Sequence, residues 1–167
     1  MTYLYTTMPS PVGELTLVAA DEALCAILWE NDRPGRVKLG RLQRNDNLPV
    51  LQRTRQQLQE YFSGMRDDFD LKLDMKGTPF QKKVWNLLLA IPFGETRSYG
   101  QIAALAGNPA ASRAVGAAVG RNPISIVTPC HRVVGSSGKL TGFAGGLDAK
   151  RELLALEARQ PQATLRA

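Results

Sequence analysis

The chain has 167 residues, 44% of them apolar, and a formal net charge of +6, enough for one substantial core or two small ones and too apolar for wholesale disorder. No stretch approaches the roughly 18 consecutive apolar residues of a membrane span, and the N-terminus MTYLYTTMPSPVGEL lacks the basic start and apolar run of a secretory signal. An intracellular, cytoplasmic protein with no membrane partner is expected. Two cysteines and one histidine limit disulfides to one bridge and leave too few ligands for the four or so of a structural zinc site, so reduced thiols and no metal are expected. Charge is unevenly spread. Residues 1–76 carry 10 Lys/Arg against 11 Asp/Glu, while residues 77–167 carry 11 against 4, so all the basic excess that favours a polyanion lies in the second half. A well-solvated basic surface is the alternative.

The first thirty residues read as a strand meander: TYLYTTM, a Pro9–Gly13 turn, LTLVA with Leu15, Leu17 and Ala19 alternating, a turn at Asp21, and LCAILWE ending at Glu30. Cys25 within it reads as a buried small hydrophobe. Residues 31–49 are polar, with Pro34, Gly35 and Gly40, and read as loop. A helix is predicted from Val50 to Phe62 with Leu51, Leu58, Tyr61 and Phe62 inward, followed by a break at Gly64 and a short strand from Phe69 to Leu73.

Met75-Lys-Gly77 marks a domain junction, giving domains 1–76 and 77–167, because capped helices follow it. Thr78-Pro-Phe-Gln81 is a capping box with Pro at the first helical position, and Phe80, Val84, Leu87, Leu88 and Ile91 fall on one face. Ser98-Tyr-Gly-Gln101 repeats the capping box and opens a short helix that stops at Gly107; Asn108-Pro109 starts another, through Ser112 to about Gly120. Two short helices joined by a tight Gly-Asn-Pro turn read as a helix-turn-helix or as a plain helical hairpin. The second, SRAVGAAVG, is built of small residues, and its interior glycines cost roughly 1 kcal/mol each relative to Ala. Either a neighbouring helix or a nucleic-acid groove therefore approaches that backbone closely, and Arg113 at its start suits the groove.

After Asn122-Pro123, a strand-like ISIV run leads into Thr128-Pro-Cys-His-Arg-Val133. A thiol beside His131 and Arg132 in a basic half is expected to have a lowered pKa. In extended chain the adjacent Cys130 and His131 project to opposite sides, which disfavours a protease-type pair and leaves a bridging water as the proton path. That arrangement suits displacement at saturated carbon, where sulfur is a soft nucleophile and the thioether product resists hydrolysis.

Pro129-Cys-His-Arg-Val133 with the downstream Gly-Phe-Ala-Gly-Gly, together with Ser98-Tyr-Gly-Gln-Ile-Ala and Ser-Arg-Ala-Val-Gly, resembles the O6-alkylguanine-DNA alkyltransferases across Gly77–Glu157. The resemblance implies a mixed α/β (α+β) protein with a small ribonuclease H-like N-terminal domain and a helical, helix-turn-helix C-terminal domain. It implies DNA repair by irreversible, stoichiometric alkyl transfer to the protein itself. Cys130 matches the alkyl acceptor, His131 its base through a water, Glu157 the carboxylate that orients the imidazole, and Asn122 the brace of the preceding turn. Tyr99 matches the donor to guanine N3. Arg113 matches the residue that replaces the flipped nucleotide, with Ala114, Gly116 and Ala117 letting the helix into the minor groove.

Ser136 is implied near phosphate, Gln81 and Asn108 as further DNA contacts, and Val133, Phe143 and Ala144 as walls of the base pocket. Phe143 and Ala144 depart from the Tyr and Ser found in other members, which withdraws any contribution of those hydroxyls. No cofactor is implied; the partner is double-stranded DNA, bound by a monomer with little sequence dependence. The competing readings are a lesion-binding relative without the acceptor, which Cys130 opposes, a helix-turn-helix regulator, which leaves the Pro-Cys-His-Arg-Val segment without a role, and a cysteine hydrolase.

Overall fold

A computed structural model describes residues 2–159 and has a mixed α+β architecture. Strands Thr2–Met8 (β1), Leu15–Ala20 (β2) and Ala23–Leu28 (β3) form the expected meander. β1 pairs antiparallel with β2, and β2 with β3, with a bulge at Val18/Ala19. A fourth strand, Arg41–Arg44 (β4), joins the edge parallel to β1, giving the order β3-β2-β1-β4. It lies inside the stretch expected to be loop. All four of its residues are exposed, so no alternation of apolar and polar residues betrayed it.

Helix α1 (Pro49–Phe62) lies against the sheet and buries Leu51, Leu58 and Tyr61. The predicted Phe69–Leu73 strand is reduced to a single bridge, Leu24 to Leu73. Gln57 explains why: its side-chain amide donates to Asp70 C=O (3.0 Å) and accepts from Asp70 N–H (2.9 Å), taking the groups a ladder would need.

Helices Pro79–Leu89 (α2) and Tyr99–Leu105 (α3) both open with complete capping boxes, from Thr78 and Ser98. Between them runs the two-residue strand Arg97–Ser98 (β5). The buried face of α2 is Val84, Trp85 and Leu88; Phe80, expected on that face, lies a turn earlier and is exposed. Helix α4 (Ser112–Gly120) begins later than Asn108. Asn108 instead folds residues 108–111 into a turn, its Oδ1 accepting from Ala110 N–H and its carbonyl from Ala111 N–H. α4 packs against α2 and α3, as two helices of a helix-turn-helix do.

Cys130–Arg132 is a 3-10 turn, Val133–Val134 (β6) pairs parallel with β5, and Leu147–Arg159 (α5) closes the described chain. The largest core joins the sheet (Leu15, Leu17, Ile27, Trp29) and α1 to Ile124, Ile126, Leu153 and Leu156, so it crosses the Gly77 junction. A second core lies between α2, α3 and α4 and reaches Cys130 and Val133. At the junction itself Gly77 is required sterically, since a Cβ there would lie 2.5 Å from the Trp85 ring. No helix among the described residues is long and apolar enough to cross a membrane.

Candidate active site

The segment from Asn122 to Val134 is buried throughout. Burying so much irregular backbone requires internal partners for its polar groups. Asn122 provides two: Nδ2 donates to Thr128 C=O (2.8 Å) and Oδ1 accepts from Ile124 N–H (3.0 Å). Between those points the chain reverses at Ile126, whose φ of 73° is an outlier for a β-branched residue. Val127 N–H donates to Ser125 C=O (2.9 Å) across it, a γ-turn. The ISIV run is therefore not a strand; a single bridge, Ile27 to Ile124, is all its pairing. A second such turn, Cys130 N–H to Thr128 C=O (2.8 Å) over Pro129, delivers Cys130 into the 3-10 turn.

Cys130 and His131 are thus not in the extended chain expected for them, and backbone alternation does not separate their side chains. Their separation of roles comes from tertiary contacts. His131, completely buried, turns Nε2 onto Glu157 Oε2 (2.7 Å) of α5, while its Nδ1 has no hydrogen-bond partner among the described residues. Burial outweighs the pull of Glu157 and holds the His131 pKa below its ordinary value. The neutral ring donates from Nε2, which leaves the Nδ1 lone pair to accept a proton.

Glu157 is 3% exposed. Read alone it would be a solvated charge near a helix end; in the fold it accepts from His131, from Arg132 Nε (2.8 Å) and Nη2 (2.9 Å), and from the Tyr61 hydroxyl of α1 (2.6 Å). Burial opposes its ionisation, but His131 and Arg132 prevail and hold the carboxyl far below the usual carboxylate range.

The expected lowering of the Cys130 pKa is overturned. Burial pushes the thiol up, and Asn122, Ser125 and the charges of Arg36 and Lys150 pull the other way without prevailing. Arg132, two residues on in sequence, spends its guanidinium on Glu157 and on Ile91 C=O (2.6 Å) instead. The cations that reach the thiol come from elsewhere. Arg36, in the 31–49 stretch, bonds Gly120 C=O and Asn122 C=O and pairs with Asp32. Lys150, with no exposed surface, donates to Val133 C=O (2.7 Å).

Tyr99 opens α3, with its ring against α4: a Cβ on Gly116 would lie 4.0 Å from it. Its hydroxyl shares a hydrogen bond with Thr141 (2.7 Å), which sequence reasoning missed. Phe143 packs edge-on to Trp29 of the N-terminal half, 5.3 Å between centroids, and Trp29 Nε1 donates to Ser125 Oγ (3.1 Å). Ala144 is half-buried beside Phe143; Val133 is fully buried.

Arg113, Ala114 and Ala117 form an exposed face of α4, whereas Gly116 is half-buried toward Tyr99. Ser136 and Asn108 are exposed. Gln81 is half-buried, its side-chain oxygen taken by the Thr78 N–H of the capping box. Gln81 and Arg36 also line a cavity of about 680 Å³ around Cys25 and Trp85. Cys130, His131, Tyr99 and Glu157 are not among its walls.

Tyr61, Arg132 and Lys150 were missed as site residues, but α5 carried a legible signal. Its inward positions are Ala149, Lys150, Leu153, Leu156 and Glu157, an i, i+1, i+4, i+7, i+8 stripe with two charges where apolar residues belong. Charges on the core face of a helix are paired or functional.

Residues 3–75 match the family model "6-O-methylguanine DNA methyltransferase, ribonuclease-like domain", and residues 79–159 match "6-O-methylguanine DNA methyltransferase, DNA binding domain". A methylated-DNA–protein-cysteine methyltransferase of Mycolicibacterium paratuberculosis is 48% identical over 166 residues, 96% of each chain. One of Methanosarcina acetivorans is 48% identical over 154 residues, 92% of this chain and 97% of that one. The crystal structure of Mycobacterium tuberculosis OGT in complex with DNA superposes with a TM-score of 0.87 at 44% identity, covering 99% of this chain and 98% of that one. With both halves matched by family models and a relative 48% identical over 96% of the chain, the chain belongs to the 6-O-methylguanine DNA methyltransferase family.

Proposed function

We propose that the protein repairs alkylated DNA by accepting the alkyl group of O6-alkylguanine on its own Cys130, once per molecule. The observation that carries this reading is the buried turn in which Cys130 adjoins His131, with His131 Nε2 held by Glu157 and Nδ1 left as proton acceptor. A thiol whose pKa burial has raised does not ionise unaided at neutral pH, so a base is needed at the moment of reaction. His131 Nδ1 takes the thiol proton through a bridging water. Sγ then attacks the saturated alkyl carbon and the C–O bond breaks, its electron pair going to the guanine. Tyr99 donates a proton to guanine N3, so the base leaves neutral. The proton held by His131 returns through solvent to Tyr99, so that in sum the alkyl group ends on sulfur and the thiol's proton is replaced by one on guanine. The thioether is not hydrolysed and no cofactor is required.

The partner is double-stranded DNA, in keeping with the DNA complex of the Mycobacterium tuberculosis relative and the basic second half. The exposed Arg113, Ala114 and Ala117 face suits entry into the minor groove with Arg113 in place of the flipped nucleotide, and Gly116 lies behind it on the side of Tyr99. Ser136, Asn108 and Gln81 contact the duplex, and Val133, Phe143 and Ala144 wall the base pocket. We keep the division at 76/77, a cytoplasmic location and a monomeric state as parts of the same reading.

The test is intact mass after incubation with a short duplex containing O6-methylguanine, beside a Cys130→Ser variant. One methylene-equivalent per chain, located on Cys130 and absent from the variant, is the expected result. Repeat turnover, or duplex binding without any mass change, would exclude it.

A further inference from the structure

Three donors converge on one oxygen of Glu157. Oε2 accepts from His131 Nε2 (2.7 Å), from Arg132 Nη2 (2.9 Å) and from the Tyr61 hydroxyl (2.6 Å). His131 and Arg132 sit in the 3-10 turn beside the thiol, but Tyr61 arrives from α1, 96 residues away in sequence. The Tyr61 ring is held by Phe62 (5.3 Å), Phe69 (5.5 Å) and Phe93 (6.3 Å). The hydroxyl is buried, and burial together with the Glu157 charge pushes its pKa well above the ordinary value, so it remains a donor at every pH at which the protein works.

We propose that Tyr61 is a positioning residue that sets the base strength of His131, by sharing with the imidazole the Glu157 oxygen on which both depend. The proposal deepens the reading of His131 as the base that deprotonates Cys130, and rests on it. A donor on Oε2 draws off part of the negative charge that would otherwise stabilise an imidazolium at the same atom. With Tyr61 bonded there, protonated His131 gains less from Glu157 and the neutral, proton-accepting ring is favoured. The other groups facing the imidazole are Arg132 in its own turn and Lys150 on α5, whose charges also disfavour the imidazolium, and Glu157, which favours it. The Cys130 thiol adjoins in sequence. Tyr61 is the member of this set contributed by the N-terminal half, which thereby reaches the base, as it reaches the thiol through the charge of Arg36.

His131 is the sole histidine, so its imidazole resonances need no assignment by mutation. The experiment titrates them by NMR in the full chain, and measures single-turnover methyl transfer against pH, for wild type, Tyr61→Phe and a protein with 3-fluorotyrosine at position 61. Tyr61→Phe keeps the ring among its aromatic neighbours and removes only the shared donor. The imidazole midpoint and the acid limb of the transfer rate are expected to move together to higher pH. The fluorinated phenol, a stronger donor that retains the hydroxyl, is expected to move both to lower pH, and it preserves the test if Tyr61→Phe does not fold. Unchanged midpoints, with rates altered by one factor at every pH, would reduce Tyr61 to packing and overturn the proposal. If Cys130 of the wild type takes up no methyl group while the midpoints still shift, the base assignment fails and the coupling through Glu157 stands.

Discussion

At the residue scale, the site is assembled from groups whose titration is set by burial and by partners brought together in space rather than by their neighbours in sequence. His131 and Glu157 both have folded pKa values below their ordinary ones. In each case the unfolded chain binds the proton first as pH falls, so the folded state loses stability. The contribution of Glu157 is intact above its ordinary value of 4.5 and is lost below it; that of His131 is intact above 6.5 and is lost below that. Denaturation midpoints in urea are therefore expected to decline from about pH 6.5 downward and more steeply below about pH 4.5. A Glu157→Gln variant should lose the steeper part, since its uncharged amide has no proton to gain. A flat midpoint between pH 7 and pH 4 would contradict the buried neutral imidazole. Cys130 shows why closeness in sequence misleads: Arg132 is two residues on but bonds elsewhere, while Arg36 and Lys150, farther away in sequence, carry the charges that act on the thiol.

At the element scale, the two capping boxes were legible because they are local, a Ser or Thr three residues before a Gln. The Ser98 box also places Tyr99 at the first position of α3, tying a helix signal to a site residue. Helix α4 is less economical, with Gly116 in its middle. A Cβ there would meet the Tyr99 ring at 4.0 Å, an ordinary contact, with φ in the usual range. Gly116→Ala is therefore expected to raise stability by up to about 1 kcal/mol, measured by urea denaturation. A loss of that size would mean that the space beside Tyr99 is tighter than the geometry indicates. The element that sequence patterning misread most, Ile124–Val127, is apolar enough for a strand, but Asn122 claims the backbone groups at both ends of it and Ile126 reverses between them. Strain of roughly 1–3 kcal/mol at such a residue persists only where the surroundings over-determine it, and here burial on all sides does so.

At the scale of the whole molecule, the two halves meet through Trp29, Arg36 and Tyr61 on one side and Ser125, Asn122, Phe143 and Glu157 on the other. Gly145 sits in this seam, where a Cβ would lie 2.6 Å from the Trp29 ring. The ring is rigid and 5% exposed, so Gly145→Ala forces the loop or the sheet to move. We expect a loss of about 1–3 kcal/mol together with slower methyl transfer, because Phe143 and Ala144 shift with the loop. Unchanged stability and rate would show that the seam yields freely. The charge asymmetry has its own consequence: affinity for a methylated duplex should fall steeply with added salt, and Arg113→Ala should weaken binding while leaving the slope of log K against log salt nearly unchanged, because Arg113 enters the base stack. A slope reduced by about one would place Arg113 on a phosphate instead.

The sequence by itself determined the meander, the capped helices, the acceptor segment and the basic half, because each is written in residues within a few positions of one another. It also carried the family resemblance, since Pro-Cys-His-Arg-Val and Gly-Phe-Ala-Gly-Gly are contiguous strings. Tertiary structure alone decided that β4 forms, since an exposed strand leaves no apolar pattern, and that the thiol is harder rather than easier to ionise, since desolvation depends on what surrounds a group in space. It also decided that Tyr61, Arg132 and His131 share one carboxylate. Hydrogen-bond partners separated by 96 residues meet only when two layers pack, and no local spacing records that meeting.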